Sequence, residues 1–151
     1  MTISTEPMRD VLFSILAFCK KFSVDNPGSD LQVEDFDAHA DINEFEEKNY
    51  VGVMEYEIED QGGPLEIMCM IGIMMFRDTH IQGLRKLISQ LFMKLRPGTR
   101  IPLVVGDTGS LIGNLIVMDG VRALPISREM KNRPIQMIAV RFASDLATVP
   151  R

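Results

Sequence analysis

The sequence contains no tryptophan, only two cysteines and no long apolar run. Cys19 and Cys69 lie in apolar segments without CxxC spacing, so we expect buried free thiols in a reducing compartment, with a disulfide between them left open by the sequence. The most apolar run, residues 67–76, is far shorter than the roughly 20 residues that a membrane helix needs. Charged residues between Glu6 and Asp10 interrupt any apolar stretch, so no signal peptide is expected.

The sequence also offers few groups for chemistry. His39 and His80 have no companions at zinc-type spacing, so we expect no metal site. The glycines between Gly106 and Gly113 lack the Lys-Ser/Thr ending of a phosphate loop. Aromatic residues make up only 7% and the bases are scattered, so sequence-specific nucleic acid is not an expected partner. We therefore predict no cofactor and no enzymatic activity.

Charge is distributed unevenly along the 151 residues, whose net charge is −5. Acidic side chains crowd the stretch from Asp30 to Asp60, where Lys48 is the only Lys or Arg, and bases outnumber acids from Arg77 onward. One interpretation is a solvated acidic loop beside an ordinary mixed surface. The other is an acidic face and a basic face on one subunit, which suits head-to-tail association in a ring or stack.

Length and periodicity predict a single α+β domain over residues 1–151. Residues 1–30 contain an amphipathic helix, 31–50 form an acidic extended segment, and 51–143 form a β core that includes a helix over 79–95. Strict alternation over 51–58 predicts that the valines share a face with the glutamates, opposite Met54, Tyr56 and Ile58. Later strands are predicted over 101–105, 111–118, 121–126 and 135–142.

The strand predicted over 67–76 is apolar on both faces. An antiparallel strand with one solvent-exposed face would alternate apolar and polar residues. Both faces of this strand should therefore be covered, one by the domain's own helices and the other by a second sheet or a neighbouring subunit. Met68, Met70 and Met74 concentrate in this strand. Methionine fills cores, but its flexible thioether also suits an adaptable contact surface, and both roles are open here.

The stretch Gly106-Asp107-Thr108-Gly109 admits two interpretations. Aspartic proteases carry Asp-Thr-Gly after apolar residues, and a dimer would supply one aspartate from each subunit. However, Gly106 stands where an apolar residue is expected, and Leu111-Ile112-Gly113 follows too soon to serve as the later apolar segment of that fold. An ordinary hairpin turn explains the same residues, since glycine supplies positive φ and aspartate caps its own backbone. The turn is therefore the favoured interpretation.

The C-terminal half resembles a known family. Ile101 to Val117, in which an apolar strand with proline leads into the glycine-rich turn and then Leu111-Ile112-Gly113, is similar to the central motif of tail protein U from contractile-tailed bacteriophages. The charged loop and alternating strand at Arg128 to Phe142, and the strand and helix at Glu66 to Leu95, extend the resemblance to roughly residues 66–142. The layout of a first helix followed by strand, helix and strands also resembles phage tail terminator proteins.

The resemblance implies a fold and a role. The fold would be an antiparallel β-sandwich or barrel of the tail-tube type with a flanking helix and an extra N-terminal helix. The chain would be a virion structural protein that forms a hexameric ring between tail tube and baseplate hub ("ripcord"-like), assembled in the host bacterial cytoplasm. Its partners would be copies of itself, the tube protein, and hub or neck proteins, without a membrane. Subunit contacts are predicted at Met68, Met70, Met74, Gly106, Asp107, Thr108 and Gly109.

Three alternatives stay open at this stage. A terminator would form its ring at the head-proximal end of the tube. A dimeric aspartic protease would use Asp107. A stand-alone binding module would present the acidic segment to a partner, whereas in a ring we expect that segment to reach a neighbouring subunit.

Overall fold

A computed structural model describes residues 6–39, 45–60, 64–78, 80–106, 108–128 and 132–144. Asp107 lies outside these residues. The elements, in chain order, are α1 (Pro7–Asp25), β1 (Leu31–Asp35), β2 (Asn49–Asp60), β3 (Leu65–Met74), α2 (Gln82–Lys94), β4 (Arg100–Val104), β5 (Leu111–Val117), β6 (Arg122–Ala123) and β7 (Ile135–Ser144), with 3-10 turns at Pro27–Ser29 and Phe36–Ala38.

The strands form one curled sheet, a half-barrel, in a mixed α+β fold. The strand order is β1-β2-β3-β7-β5-β4, and β6 pairs with β7. The predicted α+β class is confirmed. The sheet is not wholly antiparallel as predicted, because β1 pairs with β2 in parallel. The strand predicted over 121–126 is reduced to Arg122–Ala123 plus an isolated bridge between Ser127 and Ile135.

Helix α1 lies against strands from both edges of the curled sheet. It contacts β1 and β2 on one side and β4 on the other. Its apolar stripe of Val11, Ile15, Cys19 and Phe22 is buried in the main core. A proline in its first turn suits a helix start, because the N–H that proline lacks has no helical partner there. The predicted N-terminal helix is confirmed, and it is an integral part of the core.

Polar side chains of α1 bond the ends of both edge strands. At β4, the Val104 N–H donates to Ser14 Oγ (2.9 Å) and the Gly106 N–H donates to Asp10 Oδ1 (2.9 Å). At β1, the Ser23 hydroxyl donates to the Leu31 carbonyl (2.6 Å). Ser14 and Asp10 are almost fully buried, so these bonds satisfy backbone groups that water does not reach easily. Helix α1 thus fixes the separation of the two sheet edges.

Helix α2 covers β3 and β7 from the same side as α1. Its buried positions Leu84, Leu87, Ile88 and Leu91 follow the predicted stripe. The helix begins at Gln82, later than the predicted residue 79, because Ile81 precedes it in the left-handed region (φ 54°). Asp78 Oδ2 accepts the Leu84 N–H (2.8 Å) and so satisfies one backbone donor in the first turn of the helix.

A β-bulge corrects the predicted faces of β2. The pairing register of β2 with β3 shifts by one residue between Met54 and Glu57, and Glu55 has a positive φ of 53°. Val51 and Val53 therefore share the helix-packed face with Tyr56 and Ile58, since one extra residue reverses the alternation. The predicted split of these residues between two faces was wrong.

The acidic segment 31–50 is more structured than the sequence predicts. It supplies the parallel strand β1, and its Asp37 carboxylate accepts the N–H groups of Glu55 (3.0 Å) and Tyr56 (3.2 Å) at the bulge. Phe36 and Tyr50 join a second buried cluster on the other face of the sheet, with Met74, Ile135 and Met137. Residues 30–48 include β1 and Phe36, so deleting them would disturb the fold as well as any contact with a neighbouring subunit.

Two paired glycines make room for this second cluster. Gly52 on β2 lies opposite Gly72 on β3. A Cβ at Gly52 would meet the Glu34 carbonyl and the Phe36 ring, and one at Gly72 would meet the Gln136 carbonyl and the Met137 sulfur. The absence of side chains here lets Phe36 and Met137 lie directly on the sheet.

We predict that Gly72→Ala lowers the free energy of unfolding by about 1–3 kcal/mol, because backbone must move to admit the methyl group. The control is Gly28→Ala, where an added Cβ meets no atom within 4 Å. Urea unfolding of both variants measures the difference. Equal stability of the two variants would contradict the close packing described at Gly72.

We also predict that Ser14→Ala lowers the free energy of unfolding by about 1–3 kcal/mol, because the Val104 N–H loses its acceptor in a buried site. Ser89→Ala is a matched control. Both hydroxyls donate to the carbonyl four residues earlier, at 2.7 Å for Ser14 and 2.8 Å for Ser89, but Ser89 is exposed. Thermal or urea unfolding should show a change within about 0.5 kcal/mol for Ser89→Ala. A similar loss in both would mean that the bond to β4 contributes nothing.

Candidate assembly surface

Among the described residues, the sheet face turned away from the helices is covered at one end by a second buried cluster and is exposed at the other end at Met68. We call this the open face, and it carries Met54, Met70, Met68 and Arg141 toward the end of β2 that contains the bulge. Register places Met68 between Glu57 on β2 and Arg141 on β7. At the other end of this face, the second buried cluster covers the sheet. Both faces of β3 were predicted to be covered. At the Met74 end the chain itself covers both faces, whereas at the other end Met68 is exposed on the open face.

The three predicted methionines have different environments. Met68 is 39% exposed, Met70 is half-buried, and Met74 is 1% exposed. Met74 packs within its own chain beside Tyr50 and Ile135. Of the three, Met68 offers a neighbour the most surface, and Met74 functions as a core side chain in this structure. Sequence periodicity did not separate them, because all three alternate onto one face of the same strand.

The predicted contact turn connects β4 to β5 and lies beside the first half of α1. Its described residues are held by the Val105 N–H donating to the Ser110 carbonyl (2.9 Å) and the Gly109 N–H donating to the Val105 carbonyl (2.7 Å). Gly109 has φ 70°, where glycine fits without strain. Asp107 lies outside the described residues, so its predicted roles stay predictions.

Exposed apolar side chains flank this turn. Phe13 is 42% exposed and Leu111 is 66% exposed, and a Cβ at Gly106 would touch the Phe13 side chain at 3.6 Å. The turn belongs to the side of the sheet where α1 packs, whereas Met68 is on the open face. The structure thus separates the predicted contact residues into two surfaces and does not bring them together.

A groove between α1 and β4 was missed by sequence reasoning. It has a volume of about 310 Å³, and its apolar lining includes Phe18, Ile101 and Pro102. Its charged lining is mostly basic, with Lys21, Lys94 and Arg100 against Asp25. These residues come from three separate parts of the chain, so no local motif could have revealed the groove.

Acidic and basic side chains occupy different parts of the fold. The exposed acids Glu55, Glu57, Glu59 and Asp60 follow one another along the last half of β2, a stretch we call the acidic end. The basic residues of the groove lie at the opposite edge of the sheet, beside β4. The separation of charge is partial among the described residues, because Arg141 lies beside the acidic end and Asp25 lies in the groove.

Groups that could perform chemistry have structural explanations where they are described. His39 Nε2 lies 2.9 Å from Glu34 Oε2 in a half-buried pair. Within the described ranges, no set of three His, Cys, Asp or Glu side chains is arranged to hold a metal ion, and neither α1 nor α2 is long and apolar enough to cross a membrane. Cys19 and Cys69 are free and buried, as predicted.

The chain matches no protein-family model, and no curated protein matches it.

The buried thiols generate a pH prediction. Burial raises the pKa of the Cys19 thiol to about 12 from its ordinary value of 9.0, and burial likewise raises the pKa of the Cys69 thiol. Below pH 9 both thiols are neutral in the folded and unfolded states. Above pH 9 the unfolded chain loses these protons while the folded chain keeps them, so stability falls by about 1.4 kcal/mol per thiol for each further pH unit.

Urea unfolding between pH 8 and pH 10.5 measures this slope, and a Cys19→Ala/Cys69→Ala variant is the control that should show a shallower one. In the native protein at pH 8, a thiol reagent should react slowly, with full reaction after unfolding. Rapid labelling of the folded chain would contradict the burial of these thiols.

Proposed function

We propose that this chain is a structural subunit of a contractile bacteriophage tail, which forms a hexameric ring joining the tail tube to the baseplate hub. The observation that carries the proposal is the open sheet face with exposed Met68, together with charge surfaces of opposite sign at separate edges of the sheet. Surfaces that are complementary but separate suit a head-to-tail contact, which closes into a ring when the rotation between copies permits.

The element order supports the same proposal. The resembling region, residues 66–142, contains β3, α2, β4, the glycine-rich turn, β5 and β7. Its strands pair in one curled sheet, and a curled sheet suits the wall of a tube. The tail-tube type of this half-barrel is part of the proposal. The partners would be copies of this chain, the tube protein and the hub protein, in the virion tail.

A tail terminator at the head-proximal end of the tube is the second candidate, and one observation favours it. Helix α1 is integral to the core and bonds both edge strands, so it is not an appendage to the region of tail protein U resemblance. The layout that resembles terminator proteins begins with a helix, and a first helix that is essential to the fold is consistent with it. Both candidates form rings, and both act through geometry and not catalysis.

The native mass tests the shared part of the two candidates. We expect a species of six times the 17.0 kDa chain mass in mass photometry or sedimentation, with open rings in negative-stain images. Binding to isolated tube protein or to hub protein then separates the ring positions. A chain that stays monomeric at every concentration and binds no tube protein contradicts the proposal, and a clean dimer would direct attention to Asp107→Asn and pepstatin binding.

A further inference from the structure

We infer that the groove between α1 and β4 of one subunit receives the acidic end of β2, with Met68 beside it, from the next copy of this chain. This inference rests on the proposed self-assembly and names the two surfaces that would meet. Each surface is present once per chain, and the two lie at different parts of the fold, so the contact is heterologous and repeats from copy to copy.

The groove has the character of a side-chain receptor. Its volume of about 310 Å³ is near the lower limit of ligand pockets, and its apolar wall is bordered by charged groups. Phe18 is half-buried and Pro102 is exposed along this wall. A side chain that enters would remove this apolar surface from water, which is favourable by roughly 25 cal/mol per Å².

The sequence and bonding of β4 argue against an added β-strand as the occupant. Pro102 lies in the middle of this edge strand, and proline there leaves the outer edge without an N–H to donate. The next outward amide, that of Val104, already donates to Ser14 Oγ. Strand addition needs a continuous row of backbone donors and acceptors. Recognition at this groove therefore depends on side chains.

The acidic end supplies side chains that match the groove in chemistry. Glu55 and Glu57 are exposed. The Asp37 carboxylate accepts the Glu55 N–H and so stabilises the bulge at which these acids begin. Met68 lies directly across from Glu57, and Arg141 follows on the next strand. Glu57 and Met68 match the groove's lysines, Lys21 and Lys94, and its apolar wall, whereas Arg141 is ion-paired with Glu66 of its own chain.

The same chain is the occupant that the structure favours. The acidic end carries four acids in six residues, Glu55 to Asp60, without a base, while three of the four charged groove residues are basic. Opposite surface potentials steer partners together and suppress wrong registers. An acidic segment of another protein would satisfy the groove alone, but it would not account for the exposed Glu55, Glu57 and Met68 of this chain.

Charge reversal on each surface tests the pairing. Lys21→Glu/Lys94→Glu makes the groove acidic, and Glu55→Lys/Glu57→Lys makes the acidic end basic. Each variant alone should associate about tenfold more weakly or worse than the wild type, because like charges then meet. The control is Arg85→Glu/Lys86→Glu on the exposed side of α2, which changes net charge as the groove variant does and should leave association unchanged. Circular dichroism and urea unfolding verify that all variants fold.

The decisive measurement is the association of an equimolar mixture of the groove variant and the acidic-end variant. In the mixture, each acidic groove can receive a basic end and each basic groove an acidic end, so rings that alternate the two variants should form, although neither variant forms rings alone. Sedimentation velocity measures this recovery.

Each other outcome has one meaning. Rings formed by either variant alone as readily as by the wild type would overturn the inference and leave the ring proposal intact. Loss of association in both variants without recovery in the mixture would also overturn it, since the two surfaces then do not meet. A wild-type chain that never self-associates would overturn the inference and the ring proposal together.

Discussion

The structure depends on the attachment of α1 to both edges of a half-barrel. A curled sheet that does not close leaves two edge strands with unpaired backbone groups. In this chain one helix fills the opening: its apolar stripe packs into the core, and Ser14, Asp10 and Ser23 bond the ends of β4 and β1. A single helix thereby supplies core, spacing and edge protection.

This arrangement determines which surfaces are left for partners. Because both helices pack on one face, the other face must be covered by the chain itself or by a neighbour. The chain covers one end with Phe36 and Tyr50, and Gly52 and Gly72 make that close packing possible. The other end carries Met68 beside the acidic end of β2. Between α1 and β4, the same helix that closes the sheet leaves a basic groove.

The helices and the longer strands could be predicted from local sequence patterns. Features that depend on how distant segments pair and pack could not. Helical spacing identified α1 and α2, and the strand predicted over 135–142 is confirmed as β7. The bulge at Glu55 was missed because an inserted residue leaves no periodic signal. Strand β1 was not located within the acidic segment, because its five residues carry no clear alternation and no hairpin turn joins it to β2, its parallel partner. The groove was missed because its lining residues come from separate parts of the chain and meet only in three dimensions.

The central claim is that this fold reserves two specified surfaces for contact between copies. Hydrogen–deuterium exchange of the dilute and the assembled chain tests it most directly. The account predicts that assembly slows exchange at residues 55–60 and 64–68 and along the groove at 99–104, while amides beneath Phe36 and Tyr50 are unchanged because their own chain already covers them. Protection confined to α2, or spread evenly over the whole chain, would contradict the claim.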